Sequence, residues 1–460
     1  MSEKIDYSKG VYDARQLGAG RMFILGVQHM FAMFGATVLV PLLTGLSVST
    51  TLLCAGLGTL LFHLITKKKV PAFLGSSFAY LGGFSIVAPM LADADGNLTV
   101  ANTKMLPYAC AAIAFSGLVY LAASVLISTF GIRRIMKFFP PVVTGTVVLS
   151  IGLSLISVGI NSFGGGNSAK DFGSMENLLL ALFVLVVILI FKHWTTGFLS
   201  SSAILIGILA GYVAAFVMGL VLPTTGVTAD GVEFTKAWVL NWNKVAQASW
   251  FAIPKLMPVK IVFDMRAIMP VMIMFVVTAV ETVGDISGVM EGGMNREPTD
   301  KELSGGVTCD GLGSSFAALF GVLPNTSFSQ NVGLVAMTKV VNRMALASGA
   351  IFLILCGLIP KLGALISIMP QAVLGGAAVM MFSSIVVSGI QLITKEKMTP
   401  RQLTIVSVAL GVGYGMGANS GILAQAPHAF QLICGESGIV PAAFVAILLN
   451  VLLPKDDKAA

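Results

Sequence analysis

The sequence predicts an all-α polytopic membrane protein of about fourteen transmembrane segments, and three observations support this prediction. The 460 residues are 56% hydrophobic and only 11% charged, whereas soluble proteins carry roughly 25% charged residues. Apolar segments recur along the chain at the roughly 20-residue length that spans about 30 Å of hydrocarbon. Short internal matches also lie about half a chain apart. The low charge excludes a water-soluble globular protein.

The apolar segments divide the chain almost evenly. They lie near residues 21–44, 50–66, 72–90, 106–130, 141–160, 176–192, 197–221, 262–289, 304–322, 326–339, 343–360, 371–390, 401–416 and 431–453. If both termini are cytoplasmic, 20 of the 28 lysines and arginines fall in inside loops, as the positive-inside rule requires. We therefore expect a multi-pass protein of the cell membrane with both termini in the cytoplasm.

The positive charge and the cysteines exclude several other classes. The net charge of +7 comes from short loops between apolar segments, so it indicates topology and we expect no nucleic-acid partner. The five cysteines are scattered without zinc spacing, and we expect no metal site. The first twenty residues are polar and the first apolar segment is long, so no cleavable signal peptide is expected.

Two sequence matches indicate an internal repeat. Phe139–Gly145 (FPPVVTG) matches Met369–Gly375 (MPQAVLG), and Ser76–Phe78 (SSF) matches Thr326–Phe328 (TSF) in the same order. Two halves of seven spans each must be inverted relative to one another, because seven is odd. Inverted repeats with interrupted helices are typical of secondary transporters, whose site lies at the membrane midplane.

The third and tenth spans are predicted to be interrupted. Their sequences, VPAFLGSSFAYLGGF and VLPNTSFSQNVGLVA, both follow a proline closely and are rich in Ser, Thr, Gly or Asn. Each is expected to begin as extended chain and to become helical midway. Unpaired backbone groups at membrane depth are tolerated where they line a cavity or are buried in protein, so the breaks predict a cavity.

Polar side chains inside the spans are the candidate functional residues, because such residues are costly in a membrane. They are Gln28, His29, Glu281, Asp285, Asp310, Gln330 and Asn331. Glu281 and Asp285 are four residues apart and share a helix face, so at least one is expected to be protonated, as proton coupling requires. His29 and Asp310 are open to a structural or a functional reading. The carboxamide of Gln330 both donates and accepts, which suits a neutral planar ligand.

These residues resemble the nucleobase–ascorbate transporter family, the second class of nucleobase:cation symporters, which includes xanthine, urate and uracil permeases. The family signature Q/E/P-N-x-G-x-x-x-x-T-R/K/G is matched by Gln330, Asn331, Gly333, Thr338 and Lys339. The family's Gln-His pair is matched by Gln28 and His29, and its eighth-span carboxylate by Glu281 in ETVGD. The resemblance extends over about residues 20 to 450.

The resemblance implies a 7+7 inverted repeat in two domains. A substrate-binding core comprises residues 18–131 and 262–365, and a gate comprises 132–261 and 366–455. Short antiparallel strands in spans 3 and 10 would contact the base. The resemblance also implies a homodimer and a proton-driven elevator movement, with the proton as coupling ion and no other cofactor.

The resemblance also implies the site residues of a transporter, with no catalytic residue and no enzymatic activity. The implied substrate-binding residues are Glu281, Gln330, Phe78, Ser329, Ser77 and Tyr80. The implied proton-coupling and site network consists of Glu281, Asp285, His29, Asp310 and Asn331.

The identity of the substrate is predicted from departures within the family. The third and first spans look most like the uracil branch, yet that branch has Glu at the signature's first position and a carboxylate-plus-His pattern in the eighth span. Gln330, Asp285 and Asp310 match the xanthine and urate branch, so xanthine or urate is favoured over uracil.

Three other classes of membrane protein were weighed. An intramembrane aspartyl protease requires GxGD, and Thr282 stands where the first glycine is needed. An anion transporter of the same inverted fold would favour helix N-termini without nearby carboxylates, unlike Glu281 and Asp285. A channel would not need paired buried carboxylates.

Overall fold

The computed structural model describes most of the chain. It covers residues 14–67, 69–92, 98–137, 139–166, 168–228, 231–254, 262–328, 331–332, 334–335, 339–395, 397–427, 431, 434 and 438–454. Within these residues the protein is built from helices joined by short turns, with three two-stranded antiparallel ribbons.

The first half of the chain contains ten helices and five strands within the described residues. They are α1 (Ala14–Thr44), α2 (Val48–Ile65), β1 (Leu74–Ser76), α3 (Tyr80–Val87), β2 (Leu91–Ala92), β3 (Leu98–Val100), α4 (Leu106–Phe130), α5 (Ile132–Ile135), α6 (Pro141–Phe163), α7 (Met175–Trp194), α8 (Phe198–Ser201), α9 (Ala203–Val221), β4 (Thr225–Val227), β5 (Glu233–Thr235) and α10 (Trp242–Gln247).

The second half contains fewer described elements. They are α11 (Met265–Met294), α12 (Asp300–Leu319), β6 (Asn325–Ser327), α13 (Arg343–Gly357), α14 (Pro360–Ser367), α15 (Gln371–Ile393), α16 (Pro400–Ala418) and α17 (Ile439–Leu452), with a 3₁₀ turn at Ser420–Leu423.

Seven of the described helices are long and apolar enough to cross a bilayer. They are Met22–Thr44 of α1, α2, α4, α6, α7, α9 and α15. An eighth span is added if α13 and α14, which are bent by 83°, form one broken crossing. The remaining predicted segments coincide with helices that are shorter or carry more polar residues, or with β1–α3 and β6. The total of fourteen spans stays a prediction.

The sequence match near residues 139 and 369 marks two equivalent helix starts. Pro140 precedes α6 and Pro370 precedes α15, and both have extended backbone with ψ angles of 160° and 143°. Proline is compatible with this position, because its fixed φ of about −65° fits extended backbone and a residue just before a helix needs no N–H for an intrahelical bond. The same local chemistry therefore begins a helix at the same place in each half.

The helices pack in two groups. In one group α1 and α2 pack on α13, while α4 packs on α11 and α12. In the other group α6 packs on α15, α7 on α9, and α16 on α17. The division of the chain into a core domain and a gate domain stays a prediction.

The contact between α6 and α15 depends on glycines near equivalent helix starts. A Cβ on Gly145 of α6 would lie 2.8 Å from the carbonyl oxygen of Gly389, near the end of α15. A Cβ on Gly375 of α15 would lie 2.1 Å from the backbone nitrogen of Phe163, at the end of α6. Each glycine thus lets the start of its helix approach the end of the other helix at backbone contact distance.

The outward faces of α7 and α9 are apolar. Exposed side chains on these helices include Leu179, Leu182, Phe183, Leu209, Val213, Phe216 and Leu220. An exposed apolar surface of this extent is not stable in water and marks contact with lipid or another membrane surface. The arrangement agrees with an integral membrane protein.

Candidate membrane transport site

Two short strands from opposite halves of the chain pair with one another inside the protein. β1 pairs antiparallel with β6, with Leu74 opposite Ser327 and Ser76 opposite Asn325. The ribbon is extended at both ends, because Ser77 N donates to Pro324 O (3.0 Å) and Phe328 N donates to Phe73 O (3.1 Å). All six strand residues are buried. The predicted antiparallel strands in spans 3 and 10 are confirmed.

Each strand is held by a hydroxyl from the helix that precedes it. Leu74 N donates to Thr59 Oγ1 of α2 (3.0 Å), and Ser314 Oγ of α12 donates to Asn325 O (3.3 Å). A backbone group buried without a partner costs about 1–3 kcal/mol. These hydroxyls therefore stabilise short strands whose outer edges have no neighbouring strand among the described residues.

Asp310 is the most deeply buried carboxylate of the site. Its Oδ2 accepts hydrogen bonds from Ser327 N (2.9 Å), Ser327 Oγ (2.9 Å) and Thr282 Oγ1 (2.7 Å). Its Oδ1 has no partner among the described residues. Asp310 therefore connects α12, β6 and α11 and retains one free acceptor. These hydrogen bonds are the ones that a structural role of Asp310 requires, and its functional role stays a prediction.

Glu281 and Asp285 lie on α11, one and three residues from Thr282, respectively. Glu281 is half-buried, and Asp285 is 8% exposed. Glu281 lies close enough to Asp310 for the two carboxyl groups to interact electrostatically. Two helices thus carry three carboxyl groups, of which Asp310 contacts strand β6 directly and Glu281 interacts with Asp310.

Thr278, one turn before Glu281, organises two tyrosines. Its Oγ1 is 2.5 Å from Tyr80 Oη, accepts from Tyr120 Oη (2.8 Å) and donates to Met274 O (2.9 Å). Tyr80 is only 1% exposed and its ring packs on Phe275. The hydroxyl of Tyr80, a predicted substrate ligand, is thus engaged within the protein.

His29 lies on the other flank of the ribbon, on α1. Its Nδ1 donates to Asn331 Oδ1 (2.9 Å), because an amide oxygen can only accept. Two members of the predicted network, His29 and Asn331, are thus in contact. One acceptor of His29, Nε2, and one donor of Asn331, Nδ2, have no partner among the described residues.

The predicted residues of the third span lie where the strand ends. Ser77 is buried and continues the ribbon, while Phe78 is 7% exposed and packs edge-to-face on Phe382 of α15, with ring centroids 5.4 Å apart. Because α15 belongs to the other packing group, the Phe78–Phe382 contact joins the two groups next to the strands.

A cavity of about 310 Å³ also lies between the two packing groups. It is lined by residues of α3 on one side and of α6 and α16 on the other, including Ser85, Ser154, Ser157 and Tyr414. These hydroxyl groups make the cavity suitable for a small polar molecule.

Ser329 and Gln330, two further predicted ligands, lie outside the described residues, as do Gly333 and Thr338 of the signature. The sequence reasoning missed Thr278, Thr282, Ser327 and Tyr120. The spacing of Thr278 and Thr282, four residues apart like Glu281 and Asp285, was an available signal for the two threonines.

A multi-pass helical protein with interrupted spans and a buried polar site is typical of membrane transporters. The chain belongs to the nucleobase–ascorbate transporter family, since the model of this permease family matches residues 20–420. The predicted family is confirmed.

Curated relatives cover almost the whole chain. A uracil permease of Bacillus caldolyticus is 34% identical, with 96% of this chain and 94% of that protein covered. The uric acid permease PucK of Bacillus subtilis is 31% identical, with 95% and 96% covered. The xanthine permease of Bacillus subtilis is 31% identical, with 96% of each chain covered.

Solved structures show the same fold at low sequence identity. The transmembrane domain of the cyanobacterial bicarbonate transporter BicA has a TM-score of 0.61 and 14% identity, covering 96% of this chain and 99% of that chain. The murine anion transporter Slc26a9 has a TM-score of 0.60 and 13% identity, covering 94% and 67%. The predicted polytopic helical fold class is thus confirmed.

Proposed function

We propose that the protein takes up a purine nucleobase, xanthine or urate, across the cell membrane in symport with protons. The observation that carries the proposal is the placement of two interacting carboxyl groups, Glu281 and Asp310, next to the buried ribbon of β1 and β6. A planar base carries N–H and C=O groups on its edges, and carboxyl groups can hold its N–H groups. We propose Glu281, Gln330, Ser329, Phe78 and Ser77 as the residues that contact the base.

Tyr80 enters the proposal in a modified role. Its hydroxyl bonds Thr278, and Tyr80 therefore supports the helix that carries Glu281 instead of contacting the base. Phe78, whose ring lies at the boundary of the two packing groups, supplies an aromatic face for stacking on a planar ligand.

Proton coupling is assigned to the carboxyl groups. Glu281 and Asp310 interact electrostatically, and two such groups in a site of low dielectric cannot both be ionised without a large cost. Uptake of a proton with the base would remove that cost, which couples the two events. His29, Asn331 and Asp285 complete the proposed network.

The choice of a purine rests on the sequence. Relatives of nearly equal identity carry uracil, uric acid or xanthine in their names, so overall similarity does not separate these substrates. Gln330, Asp285 and Asp310 match the purine branch. Uracil is the alternative substrate, supported by the first and third spans.

We further propose an inverted repeat and an elevator movement of core against gate in a homodimer, with both termini cytoplasmic. The repeat is supported by packing pairs that exchange when each span is replaced by the span seven further along. The contact of α4 with α12 then corresponds to that of α13 with α2, and the contact of α7 with α9 to that of α16 with α17.

The proposed function is tested by uptake into proteoliposomes. The wild-type protein is expected to accumulate radiolabelled xanthine or urate when a pH gradient is imposed that drives protons inward with the substrate. Glu281→Gln cannot exchange a proton and is expected to abolish this accumulation. Glu291→Gln, a neutralisation at an exposed position of the same helix, is the matched control and should behave as wild type. Uphill uptake by Glu281→Gln at the wild-type rate would contradict the assignment.

A further inference from the structure

A second polar cavity, larger than the one lined by Ser85 and Ser154, lies away from the ribbon of β1 and β6. This cleft has a volume of about 1000 Å³ and is lined by three parts of the chain and by Gly165. These parts are the α1–α2 turn, residues 235–244 together with Ala252 and Pro254, and the region from the end of α13 to the start of α15. None of the predicted nucleobase-contacting residues that the structure describes lines it. The predicted topology places it on the outside of the membrane.

The ionisable side chains that line the described part of the cleft are all positive. They are Lys236 and Lys244, and amide groups come from Asn241, Asn243 and Gln371. Lys236 is paired with Glu176 at 2.7 Å. The nearby carboxylate of Asp171 accepts from Ala237 N and Asn177 Nδ2. Lys244 is exposed and has no acidic partner among the described residues, so its charge is the one that the cleft leaves uncompensated.

Two helix starts add to the positive potential. α2, which begins at Val48, and α15, which begins at Gln371, both present their N-terminal turns to the cleft. The N-terminus of a helix carries a partial positive charge from its unpaired N–H groups. Trp242, two residues before Lys244, forms part of the wall and packs edge-to-face on Tyr212 and Phe216. The cleft therefore combines a fixed aromatic wall, amides and an unneutralised cation.

We propose that this cleft is a peripheral binding site that captures the anionic form of a planar nucleobase, such as the urate monoanion, before the nucleobase reaches the ribbon of β1 and β6. Lys244 attracts the negative charge, the amides bond the polar edge of the ring, and Trp242 packs against its face. A charged group at the mouth of a pathway raises the local concentration of an oppositely charged ligand. The inference rests on the proposed function, because it presumes a purine substrate that ionises near neutral pH.

The first test compares charged and neutral substrates. Lys244→Gln is expected to raise the KM for urate about two- to threefold at unchanged maximal rate, the size that one Coulomb interaction across a water-filled cleft supports. The KM for a neutral base should not change. Lys244→Arg should restore the wild-type KM. Lys170→Gln, which removes a lysine that stacks on Phe234 and does not line the cleft, is the matched control. An unchanged urate KM in Lys244→Gln overturns the inference.

The second test reads the cleft without transport. All five native cysteines are buried, so Ser367→Cys places an exposed thiol in the cleft. In purified protein the rate of reaction of this thiol is measured with an anionic and a cationic methanethiosulfonate reagent, each relative to the rate of the same reagent with a free thiol in solution. The relative rate should be higher for the anionic reagent, and Lys244→Gln should remove the preference. Urate should slow the reaction and uracil should not. Equal relative rates for the two reagents, or no protection by urate, overturn the inference. If the wild-type protein transports no purine while these labelling results hold, the proposed function fails and the anion site stands.

Discussion

The paired strands β1 and β6 are each bonded by a hydroxyl group of the preceding helix. Among the described residues, only the helix that precedes β6 also bonds its strand through a carboxyl group. In the first half, Thr59 of α2 accepts from Leu74 N and also donates to Ala55 O at 2.8 Å. In the second half, Ser314 of α12 donates to Asn325 O. Gly58 and Gly313, which precede these hydroxyl residues, both face Leu74 Cδ2 at 3.6 Å from an added Cβ.

The difference lies four residues earlier on each helix. Ala55 stands four residues before Thr59, whereas Asp310 stands four residues before Ser314. Asp310 accepts three hydrogen bonds at one carboxyl oxygen. Its carboxyl group also interacts electrostatically with that of Glu281. The comparison indicates that the two halves share this support of a strand by a helix hydroxyl, while only the helix of the second half adds a carboxyl group to it.

The largest effect is expected for Asp310→Ala. The change leaves the hydrogen-bond donors Ser327 N, Ser327 Oγ and Thr282 Oγ1 without their acceptor, and we expect a loss of about 2–4 kcal/mol of stability together with loss of transport. The matched first-half variant, Thr59→Val, removes one acceptor, with an expected loss of about 1–2 kcal/mol and retained transport. The apparent midpoint of thermal unfolding and xanthine uptake measure the two effects.

This comparison breaks if the two variants behave alike. Retained transport in Asp310→Ala would show that the charged support is dispensable. Abolished transport in a well-folded Thr59→Val protein would place essential chemistry in the first half as well.

A smaller effect is expected where a charged and a neutral residue share one geometry at two helix starts. Glu302 of α12 and Gln402 of α16 each close a capping box with the threonine three residues before them. The guanidinium of Arg296 bonds both oxygens of Glu302 (2.8 and 2.9 Å) and, with the bonds from Thr299, holds the pKa of Glu302 at about 2.

The pH dependence follows from the sign of this shift. The folded pKa lies below the unfolded value of about 4.3, so the contribution to stability is present above that value and is lost as pH falls towards 2. We expect about 1–2 kcal/mol, because Arg296 is 43% exposed and solvent screens the pair. Glu302→Gln should remove this part of the acid sensitivity, and Gln402→Ala should leave it intact. Unchanged acid sensitivity in Glu302→Gln would contradict the assignment.

Local sequence signals predicted the interrupted spans well. Proline followed by small polar residues at positions 71–77 and 324–327 gave extended chain, because these residues disfavour helix and their backbone groups can pair with one another. The antiparallel strands came from the family resemblance, and the register between β1 and β6 came only from the structure. A pairing across about 250 residues leaves no local pattern in either strand.

Sequence reasoning singled out the ionisable residues within the spans and missed Thr278 and Thr282, which bond Tyr80 and Asp310. An ionisable side chain within an apolar span is conspicuous, whereas Thr278 and Thr282 are ordinary in a membrane helix, where a threonine can bond its own backbone. Tyr80 was predicted as a ligand from the family resemblance. Its engagement with Thr278 depends on the approach of α11 and α3, which no sequence spacing reveals.

The most direct test of the account is the equilibrium affinity of the purified protein for xanthine and uracil, measured on the wild type and on Gln330→Glu. We predict that the wild type binds xanthine more tightly than uracil. Gln330→Glu restores the residue of the uracil branch and should weaken xanthine about tenfold while strengthening uracil, since a mismatched buried polar group costs about 1–3 kcal/mol. Gln402→Glu, the same chemical change outside the site, should alter neither affinity. A wild type that prefers uracil, or a preference unchanged in Gln330→Glu, would contradict the account.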